Sequence, residues 1–117
     1  MLKRLGFATA LLASALVTTA AAHHGWGSYD AKNPITVEGP ILTAKFENPH
    51  VTLTVRGKDK VWTVTLAPTS RMISRGALKE LVEPRKTIVA YGYASTRETD
   101  EMRAERITVE DKTIEMR

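Results

Sequence analysis

The chain has 117 residues, 43% of them hydrophobic and 26% charged, which are the proportions of a single globular domain and exclude wholesale disorder and a polytopic membrane protein. It contains no cysteine, so disulfides, thiolate nucleophiles and thiolate metal sites are excluded. The formal net charge is +4, but Lys3 and Arg4 lie in a candidate targeting segment, and without them the basic side chains fall from 17 to 15 against 13 acidic ones. An excess this small does not by itself indicate nucleic-acid binding.

Residues 1–22 have the three-part pattern of a secretory signal peptide. A positive start is followed by an uncharged apolar stretch over residues 5–17 and by small residues up to Ala22. Cleavage after Ala22 makes His23 the first mature residue, whereas cleavage one position earlier leaves Ala22 first. An uncleaved membrane anchor is the alternative, but the Ala and Thr content favours cleavage. The pattern therefore predicts a periplasmic protein that is not integral to the membrane once the signal peptide is removed.

The mature chain divides into an N-terminal arm, residues 23–33, and a domain, residues 34–117. The arm carries Gly, Ser, Asp and Asn, which predict irregular structure. Alternation of apolar and polar residues then predicts a three-stranded meander, whose first strand is bent by a bulge at Gly39 and Pro40. The three strands of the meander cover residues 35–46, 51–56 and 61–66.

One short helix interrupts the strands. Thr69 or Ser70 is placed to cap it, Gly76 is placed to end it, and apolar residues at helical spacing follow as far as Val82. The remaining strands cover residues 86–95 and 103–109, and a last short strand follows the turn at residues 110–112 and ends near Met116. This order predicts an all-β fold with one short helix, a small OB-like barrel of five to six strands, with a β-sandwich or a roll as the alternative.

The chain has three histidines, and two of them, His23 and His24, lie at the predicted new N terminus. With His23 first, its α-amine and imidazole form a chelate that suits Cu(II). With Ala22 first, the amine, two deprotonated amides and the imidazole of His24 form a square-planar site for Cu(II) or Ni(II). His50 follows Pro49 between the first two strands, and the three imidazoles converge if the arm folds back over that end of the barrel. Nitrogen ligation without thiolate favours copper over nickel and zinc.

The same residues also have structural interpretations. A histidine pair on an arm is often solvated or packed, and His50 can simply end a strand or turn. Trp26 is interpreted as the side chain that packs the arm onto the barrel, because its burial would order a polar segment. Tyr91 and Tyr93, two apart, are interpreted as one face of a strand rather than as a base-stacking platform.

Other chemistry is less strongly indicated. Asp30, Glu47 and Met72 are further candidate metal donors, and Asp30 or Glu47 would act as acid or base only if folding paired it with a histidine in a cleft. No serine lies in a Gly-x-Ser-x-Gly context, and we expect that the protein is not an enzyme. The basic stretch over residues 71–86 is interpreted as a solvated face, with attraction to an anionic envelope component as the functional alternative. Export argues against nucleic acid as a partner.

Three segments of the sequence form a recognisable combination: AHHGW at residues 22–26, ENPHV at residues 47–51 and RMISRG at residues 71–76. The combination resembles domain-of-unknown-function family 6152, a family of small exported bacterial proteins. The resemblance covers essentially the whole mature chain and implies an exported, β-rich protein. It implies no activity. The positions that it marks as characteristic are His23, His24, Asn48, Pro49 and His50.

These observations predict an exported non-catalytic binding protein that holds a transition-metal ion, copper first, through His23, His24 and His50. The alternative is a metal-free periplasmic interaction module that docks an envelope protein or an anionic envelope component. A three-imidazole site requires that His50 lies at the end of the barrel where the arm attaches.

Overall fold

Residues 25–117 are the part of the chain that the computed structural model describes. They contain one α-helix, α1 (Thr69–Ser74), and two 3₁₀ helices, Trp26–Ser28 and Lys79–Val82. None of these helices is long and apolar enough to cross a membrane. The strands are β1 (Ile35–Lys45), β2 (Thr52–Arg56), β3 (Val61–Thr65), β4 (Thr87–Ala94), β5 (Glu101–Val109) and β6 (Lys112–Glu115).

Five of the strands close into a barrel. β1 pairs with β2 and β4, β2 pairs with β3, and β4 pairs with β5, all antiparallel. A parallel pairing between β3 and β5 closes the ring, and β6 extends the sheet from β5 outside it. This closure, with a short helix between the third and fourth strands, is that of an OB-type barrel. The predicted all-β, OB-like fold is therefore confirmed in preference to a sandwich or a roll.

The core lies inside the barrel because alternate residues of each strand point inward. On β4, for example, Ile88 and Ala90 are fully buried, whereas Tyr91 and Tyr93 lie half-buried on the outer face. Methionines and small residues fill the remaining space. The buried hydrophobic strand residues are Val37, Ile41, Leu53, Val55, Val64, Ile88, Ala90, Met102, Ala104, Ile107, Val109 and Ile114.

The bend in β1 lies slightly later than the sequence predicts. The register with β2 shifts between Ile41 and Thr43, directly after the predicted position at Gly39 and Pro40. Gly39 is nevertheless required for the bend, since a Cβ there would lie 1.9 Å from the carbonyl oxygen of Arg56. Only glycine allows the two backbones to approach this closely.

The end of α1 agrees with the prediction, but its start does not. Gly76 has φ +86° and its N–H donates to the Ile73 carbonyl, while the N–H of Ala77 donates to Met72, which together form a Schellman motif. At the other end Pro68 occupies the N-cap and makes no side-chain capping bond, so the predicted cap at Thr69 or Ser70 is wrong; Asn48 Oδ1 accepts the N–H of Thr69 instead. The hydroxyl of Thr69 also donates to Asn48.

Candidate functional site

His50 lies in the loop between β1 and β2, at the end of the barrel where α1 begins. Asn48 Oδ1 accepts hydrogen bonds from the backbone N–H and the hydroxyl of Thr69, at 3.2 and 3.0 Å. Val51 follows His50, and its N–H donates to the Ala67 carbonyl at 2.9 Å while its own carbonyl accepts a second backbone bond. These contacts fix the chain on both sides of His50 and so fix where its imidazole projects.

The described part of the arm begins at Gly25 and is fastened to the ends of β4 and β5. The Trp26 ring makes an edge contact with Tyr93, their centroids 5.9 Å apart. A β-bridge joins Tyr29 to Ser95 just beyond β4. These contacts agree with the interpretation of Trp26 as the side chain that packs the arm onto the barrel.

Arg103, on β5, connects the arm to the His50 loop. Its side chain is largely covered, with the residue only 8% exposed. Nη1 donates to the Gly25 carbonyl at 3.2 Å, Nη2 lies 3.4 Å from His50 Nε2, and the guanidinium lies 4.1 Å from the centroid of the Trp26 ring. Arg117 places a second guanidinium over that ring, at 4.4 Å. Gly25 and His50 therefore lie at the same end of the barrel, on either side of one side-chain group.

Arg71, Arg103 and Arg117 bring positive charge to this end of the barrel, and Glu105 pairs with Arg117 at 2.9 Å. Burial lowers the pKa of Arg103 below its ordinary value, and the neighbouring Arg71 and Arg117 lower it further, while Tyr29 and Glu101 act in the opposite direction. A guanidinium has donors only, so a hydrogen bond to His50 uses the Nε2 lone pair and leaves the ring proton on Nδ1. In that arrangement His50 is a neutral imidazole.

Glu101 is the carboxylate that balances part of this charge. Its Oε2 accepts hydrogen bonds from the hydroxyl of Tyr29 at 2.6 Å and from that of Thr65 at 2.7 Å. Burial raises the pKa of Tyr29, and the hydrogen bond and negative charge of Glu101 raise it further. Tyr29 therefore keeps its proton and anchors the arm to β5 as a donor.

A cleft of about 350 Å³ adjoins His50. Glu47 borders this cleft together with His50, and the Glu47 side chain is exposed to water. Asp30 lies elsewhere, and its carboxylate accepts a hydrogen bond of 3.0 Å from Asn33 Nδ2. Of the two carboxylates considered as acid–base partners, Glu47 is the one that shares a cleft with the histidine.

The structure describes some of the candidate metal ligands and not others. His23 and His24 directly precede Gly25 and lie outside the described residues, so their role as ligands stays a prediction. Met72 lies on α1 with its side chain fully buried, so its sulfur does not face solvent. Within residues 25–117, no three His, Cys, Asp or Glu side chains are grouped as they would be around a metal ion.

Reasoning from the sequence missed Arg103. It lies between Met102 and Ala104, both fully buried, and this alternation is typical of a charged residue on the solvent face of a strand. Its burial arises because the arm folds over that face, a tertiary contact that no local pattern encodes.

Comparison with known proteins identifies the family. Residues 10–103 match DUF6152, a family of unknown function. The chain belongs to DUF6152. The match includes the arm, the His50 loop and Arg103, and it confirms the family resemblance of the sequence.

This DUF6152 chain has no match among curated proteins. Among solved structures it is similar to a chain in the crystal structure of a complex of TiaS with a transfer RNA and ATP, with a TM-score of 0.50 and 17% sequence identity. The similarity covers 68% of this chain and only 18% of that chain. At this level of identity the likeness concerns the fold alone.

Proposed function

We propose that this DUF6152 protein is an exported, non-catalytic binding protein of the periplasm that holds Cu(II). The ligands are the N-terminal amine set free by signal-peptide cleavage, the histidines His23 and His24, and His50 as a further donor. The observation that carries the proposal is the bridge through Arg103, which joins the carbonyl of Gly25 to the imidazole of His50.

The two contacts of Arg103 set the distance between the start of the described arm and His50. Both contacts come from one planar guanidinium, so Gly25 and His50 are separated by the width of that group and two hydrogen-bond lengths. His24 precedes Gly25, and consecutive Cα atoms are about 3.8 Å apart. The proximity of Gly25 to His50, together with the covalent link from His24 to Gly25, supports a common site for the arm and the loop.

The charge of Arg103 supports copper over zinc. Arg103 contacts His50 and would repel a dication that is bound by neutral imidazoles alone, whereas Arg117 is paired with Glu105. In a square-planar complex with two deprotonated backbone amides, the ligand charge cancels that of Cu(II), so the repulsion is removed. Cu(II) and Ni(II) favour this geometry. The same argument favours cleavage that leaves Ala22 as the first residue, since that chelate contains the two amides.

His50 is the secondary ligand in this proposal. Its Nε2 lone pair faces Nη2 of Arg103, so coordination through Nε2 requires that this hydrogen bond is given up. We therefore expect the arm to supply most of the affinity and His50 to add a smaller part.

The test uses protein that is exported from its own leader and purified without a tag. Its intact mass identifies the first residue, and titration with Cu(II) gives the affinity. We expect His23→Ala/His24→Ala to weaken binding by about a hundredfold or more, because changes to groups that merely orient ligands already cost about 10- to 100-fold. His50→Ala should weaken it by about tenfold or less.

Asn33→Ala is the matched control, since it changes the arm without touching a histidine. Equal affinity in the wild type and the His23→Ala/His24→Ala variant would contradict the metal proposal. A mass that retains residues 1–22 would contradict the proposed processing.

A second candidate function is a metal-free interaction module that docks an anionic envelope component. It is favoured by Ile73 and Leu78, which are 54% and 49% exposed in the basic region around α1. Exposed aliphatic side chains beside cations suit an anionic lipid surface. Co-sedimentation with phosphatidylglycerol vesicles that persists in chelator, and that Ile73→Ser/Leu78→Ser abolishes, would support it. Leu42→Ser/Val61→Ser changes two other exposed aliphatic side chains and is the control. Loss of vesicle binding in this control as well would contradict the assignment of Ile73 and Leu78 as the docking residues.

A further inference from the structure

The barrel mouth contains a second cleft of about 570 Å³, which shares no lining residue with the cleft at His50. It lies between the start of β1 and the hairpin that joins β2 to β3. Its volume is typical of small-molecule sites, and barrel mouths are a common place for them. Ile35, Val37 and Trp62 line the cleft and pack against the core, so they give it an apolar surface. The polar residues that line it are Thr36, Glu38, Lys58 and Asp59.

Trp62 is held at this cleft by the hairpin. A Cβ on Gly57 would lie 3.0 Å from Cδ1 and 3.3 Å from Nε1 of Trp62, so glycine allows this edge of the indole to approach the backbone. The ammonium of Lys60 lies 4.1 Å from the ring centroid, and Lys60 does not line the cleft. Within residues 25–117 the indole N–H makes no hydrogen bond to the protein. Among the described residues it is thus a donor without a protein partner, at the edge of an apolar surface.

The polar side chains of the cleft are free as well. Within the described range, the carboxylates of Glu38 and Asp59 and the ammonium of Lys58 make no hydrogen bond or ion pair with the protein. Two acceptor groups and two donor groups, counting the indole N–H, thus border one cleft.

The mixture of acceptor and donor groups favours a ligand that can both donate and accept hydrogen bonds. A cation only donates hydrogen bonds and would leave Lys58 and the indole N–H without a partner. An anion only accepts them and would face the carboxylates of Glu38 and Asp59. A hydroxyl group both donates and accepts, so a neutral ligand with several hydroxyls can satisfy all of these groups.

We propose that this cleft binds a neutral sugar ring. The C–H face of the ring packs against the apolar surface at Trp62, and its hydroxyls bond to Glu38, Lys58 and Asp59. The site is independent of the proposed metal site, because the two share no residue.

Nuclear magnetic resonance of the wild-type protein tests the proposal. The indole ¹⁵N–¹H signal of Trp62 is assigned by Trp26→Phe, which removes the other indole signal, since the chain has two tryptophans. Maltose, cellobiose and diacetylchitobiose are the probes, with benzylamine and benzoate as charged comparators. We expect at least one disaccharide to shift the Trp62 signal saturably at millimolar concentration, and neither charged compound to do so.

A double variant locates the binding. Glu38→Ala/Asp59→Ala should weaken it by about tenfold or more, the scale of losing hydrogen bonds to charged groups. Both side chains are exposed, so the variant should fold. Glu83→Ala/Glu98→Ala removes two exposed carboxylates elsewhere and should leave binding unchanged. No saturable shift with any disaccharide, tighter binding of a charged comparator, or equal binding in the Glu38→Ala/Asp59→Ala variant would each overturn the proposal.

Discussion

The arm end of the barrel and the barrel mouth use their polar side chains in opposite ways. At the arm end the polar side chains bond to the protein itself. Arg103 contacts the Gly25 carbonyl and the Trp26 ring, and Glu101 accepts hydrogen bonds from two hydroxyls, one of them that of Tyr29. At the mouth, Glu38 and Asp59 have no such partner in the described chain. The arm end is consequently a structural joint between the arm and the barrel. The mouth already presents free groups to a ligand.

The largest loss of stability should come from adding a methyl group at Gly92, where β4 packs tightly against the backbone of Arg103. A Cβ on Gly92 would lie 2.0 Å from the Arg103 carbonyl oxygen and 2.8 Å from Cα of Ala104, both backbone atoms of β5. We expect Gly92→Ala to lose about 3 kcal/mol or more of unfolding free energy, because β4 and β5 must separate. Gly27→Ala is the control, since nothing lies within 4 Å of its added Cβ. Equal urea midpoints for the two variants would show that the joint is not tightly packed.

Removing the arginine itself should have the next largest effect. Arg103→Ala breaks the contacts to Gly25 and His50 and uncovers Trp26, and we expect a loss of about 2 kcal/mol in urea unfolding. Hydrogen exchange at the amide of Asp30, which donates to β4, should accelerate as the arm detaches. Arg56→Ala changes an exposed arginine on β2 and serves as the control. Unchanged hydrogen exchange at Asp30 in the Arg103→Ala variant would show that Arg103 does not hold the arm on the barrel.

The Tyr29 hydroxyl should contribute a smaller, pH-dependent amount. Tyr29→Phe removes the bond to Glu101 and should cost about 1 kcal/mol at neutral pH. Unfolded tyrosine releases its proton near its ordinary pKa of 10.0, whereas folded Tyr29 retains it because its pKa is raised. Rising alkalinity therefore favours the unfolded wild type, and the stability gap to Tyr29→Phe should shrink above pH 10. A gap that widens in urea titrations at alkaline pH would contradict the assigned direction.

The smallest loss of stability is expected on the hairpin beside the mouth. Lys60 forms an ion pair of 2.9 Å with Asp100, and both side chains are exposed, at 42% and 59%. Lys60→Met should lose only about 0.5 kcal/mol, even with the contact over Trp62 included. A loss as large as that of Arg103→Ala would erase the contrast between the two regions.

The features that the sequence predicts well are those that depend on local pattern. The alternation of residues along β4 places Ile88 and Ala90 inside the barrel. Gly76 ends α1 because a positive φ is needed at that position. The cap at the start of α1 could not be predicted from its residue types, since Asn48 competes for the hydroxyl of Thr69 from a distant loop.

The candidate sites are only partly visible in the sequence. The Asn-Pro-His segment identifies the loop that carries His50, but nothing local indicates that Arg103 is covered by the arm. The cleft at Trp62 is also hidden, because it forms only when β1 meets the hairpin that follows β2. Both sites depend on contacts between segments that are distant in sequence.

The account is tested most directly by adding one equivalent of Cu(II) to the ¹⁵N-labelled mature protein. A paramagnetic ion broadens nearby amide signals, and the effect falls steeply with distance. Copper held by the arm should broaden the signals of Gly25 and Val51 and leave those of Gly57 and Lys58 intact. Broadening centred on the hairpin, or full intensity at Gly25 with copper bound, would contradict the claim that the metal lies beside His50.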